Sequence, residues 1–279
     1  MEVFEKISDV QSYVAQKRSN GLTVGFVPTM GALHAGHISL VERSVAENNL
    51  TIVSIFVNPI QFNNPDDLAK YPRELEKDLA MLEKAGVDAV FVPDTKEMYP
   101  KPVNRHYEFG SLAEVMEGAY RPGHFNGVAI VVHKLFDIVT PHKAYFGEKD
   151  YQQLMIIKAM VNNLQLPVEI IACPISRESD GLAMSSRNAR LSDEMRLAAP
   201  FIYQQLQIAA QKAPELTAEN LVRFIVDSFE DQESLNLEYF VVADGDTLQP
   251  VKGFITPNAH GFIAVFAGDI RLIDNIRLI

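Results

Sequence analysis

Two histidines, His34 and His37, carry the first clear chemical signal along the chain. They lie in residues 28–37, which follow an apolar run and also contain Gly31 and Gly36. At positions i and i+3 of a helix, two imidazoles can face one ligand. An imidazole can donate a hydrogen bond to a phosphate oxygen, and a protonated imidazole adds positive charge as the oxygens become more negative. The pair therefore indicates a site for a phosphate-containing ligand.

The backbone around the two histidines favours the same interpretation. Gly31 and Gly36 allow a ligand to approach the main chain, and the N-terminus of a following helix offers unpaired N–H groups and a positive dipole end. The Walker lysine of a P-loop and the G-x-G-x-x-G fingerprint are both missing from this segment. The spacing offers no third protein ligand for a metal. One histidine alone would indicate a helix cap or a surface residue, whereas two with two glycines favour a ligand.

The elements that must position this segment alternate between strand and helix. Nearly continuous apolar runs predict strands at residues 22–27, 51–57, 88–92, 142–146 and 167–172. Helical periodicity predicts helices at residues 36–48, 74–85, 126–139 and 151–164. The alternation predicts an α/β fold, with a Rossmann-like parallel sheet covered on both faces. Ligands of such sheets bind at the carboxyl ends of the strands, where residues 28–37 lie.

The pattern changes after residue 175. Residues 193–213 and 217–229 read as amphipathic helices, and residues 237–242, 261–266 and the apolar stretch to 279 read as strands. Helices followed by strands predict a smaller α+β domain. We therefore expect a Rossmann-like ligand-binding domain at residues 1–175 and a smaller α+β domain at residues 176–279.

Composition excludes several classes of protein. The chain has 279 residues, 47% hydrophobic residues and a net charge of -11, which is ordinary for a globular protein and disfavours a general nucleic-acid binder. No apolar run reaches the ~18 residues of a membrane span, and the N-terminus does not resemble a secretory signal. The single cysteine, Cys173, fits a reducing, cytoplasmic location and is interpreted as a small core residue.

Two further segments carry groups that suit a nucleotide. In the first, Gly147 can bring backbone near the ligand, Lys149 can reach a phosphate, and Asp150 can accept a ribose hydroxyl or hold Mg²⁺; a helix N-cap is the structural alternative. In the second, residues 184–187 are Met-Ser-Ser-Arg, with two hydroxyls and a guanidinium that suit a triphosphate. Alone this segment would indicate a solvated turn before a helix capped by Ser192. With the histidine segment present, phosphate binding is favoured.

Six segments stand in order along the chain, at residues 28–37, 58–62, 71–73, 121–125, 146–153 and 180–188. Together they resemble the pantothenate synthetase family of H-x-G-H nucleotidyltransferases. H-x-G-H alone is a weak signal, but six long segments in order are a strong one. The C-terminal third of the chain resembles the family only in its general pattern.

The resemblance implies an ATP-dependent ligase that joins pantoate to β-alanine through a pantoyl adenylate and releases AMP and pyrophosphate. It implies catalytic roles for His37 and His34, and binding of pantoate or β-alanine by Gln61 and Gln153. Second-rank candidates for the site are Asn58, Tyr71, Arg73 and Arg121. The residues expected to bind ATP are Met30, Gly31, His34, Gly36, His37, Gly147, Lys149, Asp150, Ser176, Met184, Ser185, Ser186 and Arg187.

Further expectations concern the metal, the assembly and the smaller domain. Mg²⁺ is expected to accompany ATP, with Asp78 or Asp150 near it, although a solvated helix face explains Asp78 equally well. A homodimer is expected, without nucleic-acid or membrane partners. The smaller domain is expected to act as a lid that carries residues 184–187 towards the triphosphate, with a hinge at residues 174–181.

Two departures and two alternatives accompany the resemblance. Ser176 stands where an apolar residue beside the adenine is expected, and Lys77 stands where a further acid would be ordinary. One alternative is a nucleotidyltransferase that makes a dinucleotide-like cofactor, such as a phosphopantetheine adenylyltransferase. The other is a catalytically silent nucleotide-binding regulator, which would be expected to lose His34 or His37.

Overall fold

The computed structural model describes residues 1–63 and 65–279. The chain divides into two compact units. Unit 1 comprises Met1–Phe109, Arg121–Glu148 and Gln153–Pro174, and unit 2 comprises Gly110–Tyr120, Lys149–Gln152 and Ile175–Ile279. The break after Pro174 lies beside the predicted boundary, but two short segments of the first 175 residues group with the C-terminal part of the chain. The roles predicted for the two domains stay predictions.

A six-stranded parallel sheet forms the centre of unit 1, in the order β1-β4-β3-β2-β5-β6. Its strands are β1 (Glu2–Phe4), β2 (Val24–Thr29), β3 (Leu50–Ile55), β4 (Ala89–Phe91), β5 (Lys143–Gly147) and β6 (Glu169–Cys173). Every residue of β3 is buried, as expected for a strand covered on both faces. The prediction of an α/β fold with a parallel sheet is confirmed.

Helices cover the sheet of unit 1, and further helices belong to unit 2. In chain order they are α1 (Ile7–Ser19), α2 (Ala35–Glu47), α3 (Pro65–Ala69), α4 (Leu75–Lys84), α5 (Thr95–Met98), α6 (Glu117–Tyr120), α7 (His124–Val139), α8 (Tyr151–Leu164), α9 (Asp193–Ala198), α10 (Phe201–Lys212) and α11 (Ala218–Ser228). The sequence predicted α2, α4, α7 and α8 but neither α1 nor β1. Only Val10 and Val14 of α1 are buried, so its apolar stripe is too short to detect.

The point where the strand order changes direction lies at β2. The chain runs from β2 through α2 to β3 on one side, whereas β5 pairs with β2 on the other side. In an open parallel sheet such a point leaves a crevice at the carboxyl ends of the strands. The segment that carries His34 and His37 begins at the carboxyl end of β2, so the fold presents both histidines at this crevice.

The end of β6 explains the single cysteine. Cys173 is 3% exposed and packs in a core with Val27, Leu40 and Val53. The Arg43 guanidinium donates to the carbonyl of Ala172 at 2.7 Å and lies 3.6 Å from the Cys173 sulfur. Burial raises the pKa of the thiol. The interpretation of Cys173 as a small core residue is confirmed.

Unit 2 contains a three-stranded antiparallel sheet of β7 (Asn236–Asp244), β8 (Ala259–Ala267) and β9 (Ile270–Arg277), in that order. Its core joins α10, α11 and the sheet through Leu206, Leu221 and Ile263. The helix predicted at residues 193–213 is two helices, because Pro200 interrupts it as the N-cap of α10. The prediction of a smaller α+β region is otherwise confirmed. No helix in the described part of the chain has the length and apolar character of a membrane span.

A mostly buried ionic network joins residues 110–120 to the rest of unit 2. The Arg271 guanidinium donates to both carboxylate oxygens of Glu117, at 2.7 and 2.6 Å, and also to Glu238. The Tyr239 hydroxyl donates to Glu117 at 2.8 Å. The backbone N–H of Glu117 donates to the side-chain oxygen of Gln152, whose amide nitrogen donates to two carbonyls of residues 112–115. These contacts explain why both short segments group with the C-terminal part of the chain.

We expect the substitution Arg271→Met to destabilise unit 2 by about 3 kcal/mol or more, because it leaves the carboxylates of Glu117 and Glu238 without their cation. Chemical denaturation followed by circular dichroism measures the loss. The control is Arg277→Met, an exposed arginine on the same strand. Equal losses in the two variants would contradict a structural role for this network.

Candidate active site

The turn between β2 and α2 has an unusual backbone. Gly31 and Ala32 both have positive φ, at 79° and 50°. The positive φ favours glycine at position 31, and a Cβ atom there would be crowded at 3.0 Å from the carboxylate of Asp78. The Thr29 hydroxyl donates to the Ser54 carbonyl at 2.8 Å and accepts from the N–H of Gly31 at 3.2 Å. Local bonds therefore hold the start of the turn.

Asp78 of α4 holds the next part of the turn. One of its carboxylate oxygens accepts from the N–H of Ala32 at 2.9 Å, and the other accepts from the N–H of Leu33 at 2.7 Å. The residue is 1% exposed, and burial raises the pKa of its carboxyl group, an effect that the two N–H bonds oppose. The alternative of a solvated helix face is wrong, because Asp78 lies inside the fold. Lys77 instead pairs with Glu74 at 2.7 Å on the exposed side of α4.

The two histidines form the N-terminal cap of α2. Their ring centroids are 4.1 Å apart. The Nδ1 atom of His34 accepts from the N–H of Gly36 at 3.2 Å, and the Nδ1 atom of His37 accepts from the N–H of His34 at 3.4 Å. Because a backbone N–H can only donate, each Nδ1 is unprotonated and each neutral ring carries its proton on Nε2. Of the two forms that the sequence analysis considered, this geometry favours the one in which Nε2–H donates a hydrogen bond.

The sequence analysis expected unpaired backbone N–H groups at the start of α2, but the structure gives partners to most of them. Hydrogen-bond acceptors within the chain already receive the N–H groups of Gly31, Ala32, Leu33, His34, Gly36 and His37. The capping box and the Asp78 carboxylate use donors that would otherwise face a phosphate. The imidazoles thus become the more important donors of the segment.

A chain of amides orients Gln61. Asn58, which is fully buried, donates from Nδ2 to the Gly127 carbonyl and to the side-chain oxygen of Gln61, both at 3.1 Å. The carbonyl can only accept, so the orientation of the Asn58 amide is determined, and with it that of Gln61. The Gln61 amide nitrogen points to the sulfur of Met30 at 3.2 Å. Gln61 thus presents a donor, which suits a carboxylate or hydroxyl oxygen.

Neighbouring residues hold this amide chain. The Tyr99 hydroxyl donates to the Asn58 side-chain oxygen at 2.9 Å, and a His124 ring nitrogen lies 2.8 Å from the Gln61 carbonyl. Sequence analysis missed both residues in this role, although His124 falls within the family-like segment 121–125. Gly127 is needed because a Cβ atom there would lie 2.7 Å from the Gln61 backbone.

The second-rank candidates are partly structural. Tyr71 is 6% exposed and packs edge-on against Phe62, with ring centroids 5.8 Å apart. The Arg73 guanidinium donates to the Tyr71 carbonyl at 3.3 Å. Arg121 is half-buried just before α7. Arg73 also lines a cleft of about 310 Å³ in unit 1, together with Met30, Gly31, Glu74, Asp78 and Asp94.

The segment after β5 contains the other predicted nucleotide ligands. A Cβ atom on Gly147 would meet no atom within 4 Å, so this glycine borders open space. The Lys149 ammonium lies 3.7 Å from the Asp150 carboxylate, whose side chain is 50% exposed. Gln153 is half-buried, whereas the adjacent Gln152 is buried and makes the structural bonds described above. The adjacent glutamines thus have different environments.

In unit 2, the predicted phosphate-binding residues belong to a braced loop. The Ser185 hydroxyl accepts from the N–H of Arg187 at 3.2 Å and caps a short 3₁₀ helix, Ser186–Arg190. The Ser176 carbonyl accepts from the N–H of Met184 at 3.0 Å, so the backbone contact made by Ser176 does not depend on its side chain. Within residues 1–63 and 65–279, no three His, Cys, Asp or Glu side chains converge as metal ligands.

An arginine that sequence analysis did not assign to the site braces the same loop. Arg177 forms a two-pronged pair with Asp274, at 2.6 and 3.0 Å, and donates to the Gly181 carbonyl at 3.1 Å. Its guanidinium also lies 3.6 Å from the centroid of the Tyr203 ring. Because Asp274 follows Arg177 by 97 positions, no local pattern indicates the pair.

Comparison with known proteins gives a consistent result. The family model described as pantoate-beta-alanine ligase matches residues 2–277. Pantothenate synthetases from Porphyromonas gingivalis and Bacteroides fragilis are 51% and 52% identical to the chain over 278 residues, with 99% of each chain covered.

Solved structures agree with the sequence relatives. A pantothenate synthetase from Thermus thermophilus matches with a TM-score of 0.93 and 41% identity, over 100% of this chain and 99% of that one. A Francisella tularensis pantoate-beta-alanine ligase, complexed with beta-gamma ATP and beta-alanine, matches with a TM-score of 0.83 and 37% identity, over 100% of this chain and 98% of that one. The chain therefore belongs to the pantoate-beta-alanine ligase family.

Proposed function

We propose that the chain condenses pantoate with β-alanine in an ATP-dependent reaction that passes through pantoyl adenylate. The observation that carries this proposal is the family match over residues 2–277, combined with a capped histidine pair at the switch point of the sheet. The match over nearly the whole chain disfavours the alternative of a phosphopantetheine adenylyltransferase. The presence of both histidines disfavours a catalytically silent regulator.

The reaction has two steps. A carboxylate oxygen of pantoate first attacks the α-phosphorus of ATP, and the bond from that phosphorus to the bridging oxygen breaks, so pyrophosphate leaves. The β-alanine nitrogen then attacks the acyl carbon, loses a proton, and displaces AMP. Adenylation is needed because a free carboxylate has no adequate leaving group. The protein contributes position and charge stabilisation at phosphorus.

Each group of residues has a proposed role in these steps. The Nε2–H groups of His34 and His37 donate to the phosphate oxygens as negative charge develops, and Met30, Gly31 and Gly36 line the nucleotide. Lys149 and Arg187 supply positive charge to the phosphates. The remaining proposed ATP contacts are Gly147, Asp150, Ser176, Met184, Ser185 and Ser186.

Pantoate is the proposed ligand of the two glutamines. Gln61 presents its amide nitrogen, because Asn58 takes up its oxygen. A neutral amide donor can bind the pantoate carboxylate or hydroxyls without reducing the reactivity of the carboxylate as much as a cation would. Gln153 supplies a second amide from the start of α8.

Mg²⁺ is proposed to enter with ATP. When bound, it would neutralise part of the negative charge of the β- and γ-phosphates. Mg²⁺ sites in such enzymes often use one or two carboxylates besides phosphate oxygens. The exposed carboxylate of Asp150 fits this requirement better than Asp78, both of whose oxygens already accept backbone N–H groups. A homodimeric, cytoplasmic enzyme without nucleic-acid or membrane partners completes the proposal.

The test of the proposed function is pyrophosphate release from ATP and Mg²⁺ by the purified protein. Pantoate alone should give release stoichiometric with enzyme, and β-alanine should then give turnover with AMP and pantothenate as products. Release that requires neither pantoate nor β-alanine would contradict the proposal.

His37→Ala should lower the rate of pyrophosphate release by about 10²–10⁴-fold, because a positioned donor to the developing charge is lost. Rapid-quench measurement of adenylate formation checks this rate. His106→Ala, an exposed histidine outside the site, is the control. Near-normal turnover of His37→Ala with an intact circular dichroism spectrum would remove the role assigned to this residue.

Gln153→Ala should weaken pantoate binding ten- to a hundredfold, since a hydrogen bond to a charged group contributes roughly 1.5–3 kcal/mol. Calorimetric titration with pantoate and, separately, with a non-hydrolysable ATP analogue measures both affinities. The nucleotide affinity should change little, as it should for the exposed control Gln207→Ala. Equal losses for both ligands would indicate a general defect instead.

We also propose that residues 176–279 act as a lid that protects the hydrolysable adenylate, with the hinge at residues 174–181. Arg187→Ala should then reduce catalysis more than pantoate affinity, whereas Arg223→Ala on the exposed side of α11 should change neither. A pair of fluorophores, one on each predicted domain, should report a shorter distance when ATP and Mg²⁺ are added. An unchanged distance at full nucleotide occupancy would contradict the lid but leave the ligase assignment intact.

A further inference from the structure

Asp78 is a buried acid whose carboxylate accepts hydrogen bonds from the turn before His34. It lies 45 residues along the chain from Leu33 and reaches the turn only because α4 packs beside it. Its side chain is 1% exposed and its carboxylate bonds to two successive backbone N–H groups. A buried charged group of this kind needs a specific partner set to offset desolvation. The partners here are the amides that precede the histidine pair.

The conformation of the turn creates the place that the carboxylate fills. Gly31 and Ala32 are successive residues in the left-handed region, and for alanine this conformation is disfavoured. In this arrangement the N–H groups of Ala32 and Leu33 point towards the same side and form a small concavity for an anion. Asp78 occupies that concavity from within the protein. Its two bonds offset the strain of Ala32 and hold the turn in one geometry.

The conformation of this turn determines where the two histidines lie. Leu33 is followed directly by His34, which is the N-cap of α2, and His37 stands one turn later. A displacement of the Leu33 backbone moves both imidazoles away from the phosphate. Displacements of about 1 Å can reduce catalysis by roughly a hundredfold in positioned active sites.

We propose that Asp78 is a positioning residue for adenylation, which acts through the backbone of Ala32 and Leu33 to place His34 and His37. The inference rests on the proposed function, because it assigns those histidines to the phosphate. The group must be a carboxylate: an asparagine side chain has one acceptor oxygen, and its NH₂ group would face a backbone N–H. The alternative to this positioning role is direct binding of Mg²⁺, because Asp78 lines a cleft together with Glu74 and Asp94.

The test compares Asp78→Asn with Glu76→Gln, which makes the same chemical change at an exposed position of α4. Asp78→Asn should release pyrophosphate about 10- to 100-fold more slowly, while Glu76→Gln stays within twofold of the unsubstituted protein. In a His37→Ala background, Asp78→Asn should reduce the rate by a smaller factor than in the unsubstituted protein, because only its effect through His34 remains. The Mg²⁺ concentration for half-maximal activity should not change.

A second readout does not depend on turnover. Nitrogen-detected NMR of the histidine side chains should show altered signals of His34 and His37 in Asp78→Asn and unaltered signals in Glu76→Gln. If Asp78→Asn does not fold, Asp78→Glu keeps the charge but cannot meet both N–H groups, and it should show the same altered signals and loss of rate.

Four results would overturn the inference. They are activity of Asp78→Asn within twofold of the unsubstituted protein, rate losses that multiply fully with His37→Ala, unaltered His34 and His37 signals in Asp78→Asn, and recovery of activity at high Mg²⁺ concentration. The last would assign Asp78 to the metal. Failure of the unsubstituted protein to release pyrophosphate would instead contradict the proposed function, and the NMR comparison would still test the positioning role.

Discussion

The pairing of β2 with a neighbour on each side is the constraint on which the site depends. β3 follows β2 through a helical crossover on one side, and β5 pairs on the other, so the connections that leave their carboxyl ends diverge. Parallel strands impose this geometry because each connection must cross back over the sheet. The result is a crevice into which residues 28–37 project. Without the parallel order, the histidine segment would be an ordinary surface turn.

The turn at this crevice shows how hydrogen bonds can hold a polar loop in one conformation. Thr29 binds the N–H of Gly31, Asp78 binds the next two amides, and the imidazoles of His34 and His37 cap α2. Each of these donors therefore has an acceptor, as buried polar groups require. The same bonds determine the tautomer of both histidines. The hydrogen bonds that stabilise the loop are therefore coupled to its chemical function. The backbone N–H groups that bind each Nδ1 leave the Nε2 hydrogen as the one that each histidine can donate.

Amide chemistry follows the same logic at Gln61. The Gly127 carbonyl determines the orientation of Asn58, and Asn58 determines that of Gln61. The Gly127 carbonyl on the nitrogen of Asn58 and the Ile60 N–H on its oxygen thereby decide that the glutamine presents a donor. Unit 2 uses ionic groups for a comparable purpose, since Arg271 with Glu117 and Arg177 with Asp274 attach remote segments to its sheet. Buried ion pairs of this kind are weak evidence for stability but strong constraints on which segments meet.

Much of this protein follows from local sequence pattern. Continuous apolar runs indicated the inner strands, helical periodicity indicated the longer helices, and the spacing of His34 and His37 indicated a phosphate site. These features are readable because they depend on residues close in the chain. β1 and α1 were missed, because a three-residue edge strand and a weakly amphipathic helix depend on their partners.

Only the tertiary structure revealed the role of Asp78, the orientation of Gln61 and the pairing of Arg177 with Asp274. Asp78 in sequence is one acid among several on an amphipathic helix, four residues before the buried Leu82, and no local pattern shows which backbone groups it binds. Its role depends on a turn 45 residues away, where the strained backbone directs two amides to one point. The sequence by itself determined which chemical groups are present and which strands carry them. Which of those groups bind the substrate and which hold the others in place was decided by long-range packing, because hydrogen-bond partners distant in the chain leave no local periodic signal.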